Sequence, residues 1–226
     1  LKVYHGSPIS DITVFNAGAS NVKKSKYQLL FGVHFTTDEN KAKDYSKKAK
    51  NTVGTSRITK NEGKVYASYL NLRNPLDITG YSEALAKEGS RNFEVYQAIP
   101  ENIKKKIERK YPYWVGEFKP ATDPSFNPPF IGNYVAANAI DEALNMMEPN
   151  QALSFIQSQG FDGVVYNATY YSGMPGFTIV DRSYIAFSPE QIKNADNLTP
   201  TSSPDIRYQE RDTQYLAAVE SGDMAA

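Results

Sequence analysis

Cysteine is absent from the 226-residue chain, and histidine occurs only twice, at His5 and His34. The first absence excludes disulfides, thiolate nucleophiles and cysteine-ligated metals. Two imidazoles are few for a zinc site, and these two lack the tight spacing, such as HxxxH, that one helix face would require. A metal hydrolase built on His5 and His34 is therefore the weakest reading, and no metal is expected. Net charge is missing as well, since 25 basic residues balance 25 acidic ones. That removes the broad positive field of a protein relying on non-specific phosphate binding. A basic run such as "NIKKKIERK" at residues 102–110 reads better as a solvated helix face than as a nucleic-acid site. No apolar run approaches the length of a membrane span, and the first residues carry no signal-peptide pattern.

What remains is 40% hydrophobic and 22% charged, the balance of a soluble globular protein with a real core. Runs rich in β-branched and aromatic residues predict strands at residues 2–5, 32–36, 64–72, 163–166, 177–180 and 184–187. Apolar residues at three-to-four spacing predict helices at 81–88, 93–110, 133–147 and 150–159, with Pro100 breaking or restarting the second. The fold class is thus α+β, with a sheet drawn from the two ends of the chain and a helical insertion at about 81–159.

Two loops stand out. Residues 111–134 hold five prolines and seven aromatic residues, which suggests an ordered loop or lid, because so many rings are costly to leave in water. Residues 167–176, "NATYYSGMPG", form a tyrosine- and glycine-rich loop of the kind that often carries recognition. After Lys193 the chain turns polar and proline-containing, as a linker or surface-wrapping tail would, and residues 213–226 look like the first turns of another helical unit. The expected division is a domain over 1–194 followed by 195–226. Beginning at Leu1 and almost inside a strand, the sequence is expected to be part of a larger polypeptide.

His34 stands between Val33 and Phe35, so strand alternation points it away from both. In "KVYHGS" Val3 and His5 share one face and Tyr4 the other. A largely buried imidazole needs a hydrogen-bond partner or a chemical task.

The segments "VYHGS", "GVHFTTDENKAKDY", "GFDGVVY" and "RSYIAFSPEQIK", in that order, resemble the ADP-ribosyltransferase fold in its histidine-containing branch, which includes the poly(ADP-ribose) polymerases and diphtheria toxin. The resemblance is closest to the domains found in polyvalent proteins of phages and conjugative elements. It implies a split β-sheet core and NAD as the substrate, with a glycosyltransferase-type transfer of ADP-ribose. His5 would hydrogen-bond the adenosine ribose and the Gly6 backbone would grip the nicotinamide amide, with Ser7 and Phe35 completing the contacts. Tyr45, eleven residues after His34, would stack on the nicotinamide ring, as a cationic pyridinium favours an aromatic face. His34 occupies the place of the branch's first tyrosine and would form the opposite wall. The resemblance further implies a cytoplasmic, toxin-like effector, acting in place or after delivery into a bacterial host cell, with no membrane partner.

Two positions depart from the pattern. Ala42 replaces a small hydroxyl residue three positions before Tyr45, and Ser183 stands where the family's catalytic glutamate begins the late strand. Breaking the nicotinamide glycosidic bond builds positive charge on the ribose, which a carboxylate ordinarily stabilises. Asp181, two residues upstream of Ser183, is the preferred substitute. Glu190 is better explained by the helix start "SPEQ", where it complements the helix dipole beside an N-cap serine, a first-turn proline and a capping-box glutamine. The alternatives to transfer are an NAD glycohydrolase and a catalytically silent domain that binds a nucleotide or a protein. The acceptor, whether protein, nucleic acid, small molecule or water, carries no legible motif.

Overall fold

In the computed structural model, the described residues are 1–16, 31–48, 63–79, 91–111, 129–171, 178–197 and 201–207. They form seven strands and five α-helices, and fall into two units. One lies within Leu1–Ala19, Gly32–Leu72 and Ser183–Ala226, the other within Ser20–Phe31 and Arg73–Arg182.

In the first unit, β1 (Lys2–Ser7) pairs antiparallel with β3 (Lys64–Leu70) along its whole length, from Lys2 opposite Tyr69 to Ser7 opposite Lys64. On its other side β1 meets β2 (Val33–Thr36), in a register carried by the single pair Tyr4 and Thr36. The late strand β6 (Thr178–Ala186) enters this unit at Ser183 and pairs with β2, Thr36 opposite Ser183 and His34 opposite Ile185. A three-residue strand, β7 (Ile192–Asn194), borders β3. Val3, Val33, Phe35, Tyr66, Ala186 and Ile192 turn to one side and bury a common core with Phe15. Gly32, before β2, has a φ of 71°, a left-handed conformation that suits glycine.

Helix α1 (Glu39–Lys48) covers the other side. Asp38 caps it by accepting from the Asn40 N–H at 2.8 Å. The buried Ala42 and Ser46, one turn apart, face the strands. A Cβ added to Gly6 would overlap the Ala42 carbonyl oxygen and come within 2.9 Å of the Ser46 nitrogen. Glycine is required here because the helix backbone rests directly on β1.

The second unit holds β4 (Pro75–Asp77), parallel to β5 (Gly163–Tyr171) with Leu76 opposite Val164. The chain between them supplies α2 (Arg91–Ala98), α3 (Glu101–Lys110), α4 (Pro129–Met146) and α5 (Pro149–Ser158). Pro100 separates α2 from α3 as expected. Ile103 and Ile107 are buried while Lys105, Lys106 and Arg109 are exposed, so the basic run is a charged helix face. Buried alanines at 136, 137, 139 and 143 give α4 a smooth apolar side. Helix α5 ends in a Schellman motif, with Gly160 at φ 82° and the Phe161 N–H returning to the Ile156 carbonyl at 3.3 Å. The Asp162 carboxylate then accepts from the Arg73 and Asn74 N–H groups at 2.7 and 2.9 Å, fixing the entry to β4.

The fold is α+β, as the sequence implied. Several boundaries differ from expectation. The strands expected at 177–180 and 184–187 are one strand, because the polar "DRS" between them continues the alternation. Residues 167–171, expected in a loop, extend β5, and the last six of the aromatic segment 111–134 lie in α4. Its residues 112–128, the helix expected at 81–88, and residues 172–177, 198–200 and 208–226 fall outside the described set.

Part of the polar tail returns to the first unit. Ile206 is buried in its core, donates its N–H to the Thr13 carbonyl at 2.9 Å and accepts from the Asn194 N–H at 3.0 Å. Lys193, also buried, donates its ammonium to the Ser203 carbonyl. The chain beyond Asn194 thus closes the core's rim before going further.

Candidate active site

Alternation and register decide which proposed site residues meet. In β1, His5 and Ser7 follow Val3 on the core side, whereas Gly6 faces α1. In β2, Phe35 is in the core, so His34 and Thr36 look toward the helix side. Ser183, paired with Thr36, shares that side. Gly6, His34 and Ser183, with Tyr45 on α1, therefore belong to one side of the strands, and His5, Ser7 and Phe35 to the other. The pairing of Tyr4 with Thr36 turns the His5 and His34 rings to opposite sides of the strands, with His34 on the side of Tyr45.

The histidines nevertheless touch through the backbone. His5 Nδ1 lies 2.8 Å from the His34 carbonyl oxygen. A carbonyl only accepts, so Nδ1 carries the proton and the neutral ring keeps its lone pair on Nε2. Burial lowers the His5 pKa below the ordinary 6.5, and the bond to His34 offsets this only in part. At neutral pH His5 is an uncharged ring offering an acceptor. Phe15 packs on it edge to face at 5.0 Å, and Phe35 lies tilted against it at 5.6 Å.

Ser7 has a structural occupation, its hydroxyl accepting from the Ile9 N–H at 3.1 Å at the turn that leaves β1. Tyr45 lies three residues beyond Ala42, on the flank of the helix's buried stripe, and is 37% exposed. Ala42 is fully buried against Gly6, which explains why that position is so small. Ser183 and Asp181 are both buried, two residues apart on β6. Alternation points them to one side of the strand and the exposed Arg182 to the other, where it pairs with Asp77 at 3.0 Å.

Glu190 is exposed and accepts from the Ser188 hydroxyl at 2.5 Å, a bond that holds its carboxyl below the usual range. Gln191 Oε1 accepts from the Ser188 N–H at 2.9 Å, completing the capping box read from "SPEQ". Among the described residues, no group of three or more His, Asp or Glu side chains could hold a metal ion. No described helix is long and apolar enough to cross a membrane.

Sequence reasoning assigned nothing to Phe15 or Tyr66, although both border His5. The only signal was the short apolar run at Ile12, Val14 and Phe15 in "SDITVFNAG".

A family model described as "ADP-Ribosyltransferase in polyvalent proteins" matches residues 1–202. Searches of curated proteins and of solved structures each found no match.

Proposed function

The chain belongs to the ADP-ribosyltransferases of polyvalent proteins, and from that premise we propose that it takes NAD as donor, cleaves the bond between nicotinamide and ribose, and transfers ADP-ribose to an acceptor. The observation that carries this reading is the state of His5: a neutral ring, its Nδ1 proton committed to the His34 carbonyl, beside Gly6, where the register between β1 and β2 goes no further than Tyr4 and Thr36. An imidazole held in one tautomer is suited to accept a ribose hydroxyl proton at Nε2. The edge between β1 and β2 is where a ligand can reach residues from both sides of the strands, His5 from one and His34 and Tyr45 from the other. Tyr45, half in water on the helix flank, suits the stacking role.

Cleavage leaves positive charge on the ribose. In this reading the Asp181 carboxylate opposes it and Ser183 contributes a hydrogen bond. Incubating the chain with NAD and measuring nicotinamide release, with and without cell lysate, tests the proposal. Release that needs lysate means transfer, and release without it means hydrolysis. No binding at millimolar NAD by calorimetry would reject both. Asp181→Asn is expected to lower turnover far more than Ser183→Ala, because a charge facing a developing cation contributes several kcal/mol and a neutral hydrogen bond about 1. Equal effects would remove Asp181 from the mechanism.

A second reading, a silent domain that binds a nucleotide or protein, is favoured by one observation. Among the described strand residues on the helix side of the first unit, Tyr4, Gly6, His34, Thr36, Ser183 and Ile185 on β1, β2 and β6, none carries a carboxylate. Nicotinamide release appearing only after Ser183→Glu would support it.

A further inference from the structure

Tyr66 stands directly opposite His5 in the register of β1 and β3. Its buried hydroxyl donates to the Ile9 carbonyl at 2.8 Å and accepts from the Ile12 N–H at 2.9 Å. One side chain thereby closes residues 9–12 into a fixed arc. Three residues later Phe15 returns to the strands, its ring meeting Tyr66 edge to face at 5.6 Å and His5 at 5.0 Å. Phe35 closes the group, 5.7 Å from Phe15 and 5.6 Å from His5. Residues 9–15 thus roof the imidazole. Filling the core would need only a phenylalanine at position 66. The hydroxyl adds two polar contacts, and both go to the roof.

We propose that Tyr66 is a positioning residue for His5, acting through the roof: its hydroxyl holds residues 9–12 so that Phe15 keeps the His5 ring dry and aimed, with Nδ1 on the His34 carbonyl. The role in catalysis rests on the NAD reading above, while the effect on the imidazole does not. The Ile206 N–H on the Thr13 carbonyl is a second tie on the same roof, supplied by the tail. Two ionisable neighbours of the group lie among the described residues. Lys64, on β3, has its ammonium 5.1 Å from the Tyr66 ring centre, and Asp11, on the roof, acts on Tyr66 by its charge.

The two histidines make a direct test available. In the 226-residue chain their ring protons give two NMR titrations, which His34→Gln assigns. In the parent, His5 titrates below 6.5. Tyr66→Phe is expected to raise the His5 midpoint toward 6.5 and leave that of His34 in place. It is also expected to raise KM for NAD about three- to tenfold, the worth of one hydrogen bond, with kcat changing less. An unchanged His5 midpoint in a cooperatively folded Tyr66→Phe protein would overturn the proposal, since a residue that only fills the core would lower stability without touching that titration. If Tyr66→Phe does not fold, Phe15→Leu opens the roof while keeping the hydroxyl, and the same rise is expected; no rise would be equally fatal. Absence of NAD binding in the parent would remove the enzymatic reading and leave the imidazole titration to decide the roof.

Discussion

The strands of the first unit pack through interlocked rings on their core side and, where α1 crosses Gly6, through small residues on the other. On the core side His5, Phe15, Phe35 and Tyr66 interlock with ring centres 5.0 to 5.7 Å apart. On the helix side the strands present Gly6, Thr36 and Ser183, and α1 answers with Ala42 and Ser46. Spacing on the first side is set by side chains, which can change rotamer. On the second, backbone meets backbone, and nothing there can move without moving the helix. The two sides therefore fail differently: one by losing volume, the other by gaining it.

The largest expected effect is on the ring side. Phe35→Ala removes a fully buried ring from the aromatic group and should cost about 3–5 kcal/mol in denaturant unfolding. Gly6→Ala adds one carbon to the other side and should cost about 3 kcal/mol, because the colliding atom is the Ala42 carbonyl oxygen. Gly160→Ala is its control. The φ of 82° makes that substitution unfavourable by about 1–2 kcal/mol, but nothing lies within 4 Å of the new carbon. If the two alanines cost the same, the contrast between the sides collapses to backbone strain.

The tail tests whether the ring side is complete without it. Ile206→Ala, or ending the chain at Leu198, should cost about 2–4 kcal/mol, the range for emptying a fully buried isoleucine site. A truncated chain as stable as the parent would support a domain limit near Asn194.

A smaller effect follows from pH. His5 has a lowered pKa in the folded chain, so below 6.5 the unfolded chain takes up the proton first. Its contribution to stability is full above 6.5 and is lost as pH falls through 6.5 toward the folded value. His5→Gln should flatten the unfolding midpoint in that window, once the opposite trend of Asp141 is allowed for. Burial raises the Asp141 carboxyl to about 6, and it favours the folded state as pH falls. The smallest stability effect belongs to Tyr45→Ala, within about 0.5 kcal/mol for a partly exposed residue. The same change should weaken NAD binding by about 1–3 kcal/mol in calorimetry.

How far the sequence carried these conclusions varies with distance along the chain. Local signals were legible: the alternation that turns His34 away from Val33 and Phe35, the break at Pro100 and the capping box of "SPEQ" all depend on neighbours within a few residues. The three-residue strands β4 and β7 were not, since "PLD" and "IKN" are too short to show a period. Register between strands was not legible either, and it decided that His5 and His34 face opposite ways. The Tyr66 ties to Ile9 and Ile12 span 57 and 54 positions, and nothing in either segment announces the other. Phe15 drew no assignment because its partners come from three different strands.

The return of Ile206 to a core that also holds Val3 has a consequence for how the chain is made. Strand β1 lies between two others, and its core is not closed until a residue some two hundred positions later leaves the ribosome. At roughly 5–20 residues per second, that is a wait on the order of 10–40 s. Throughout it Val3, Phe15 and Phe35 have no finished place to hide, and pairings so distant in sequence form slowly even once available. In the cell, the nascent domain is a client for whatever shields apolar segments during translation.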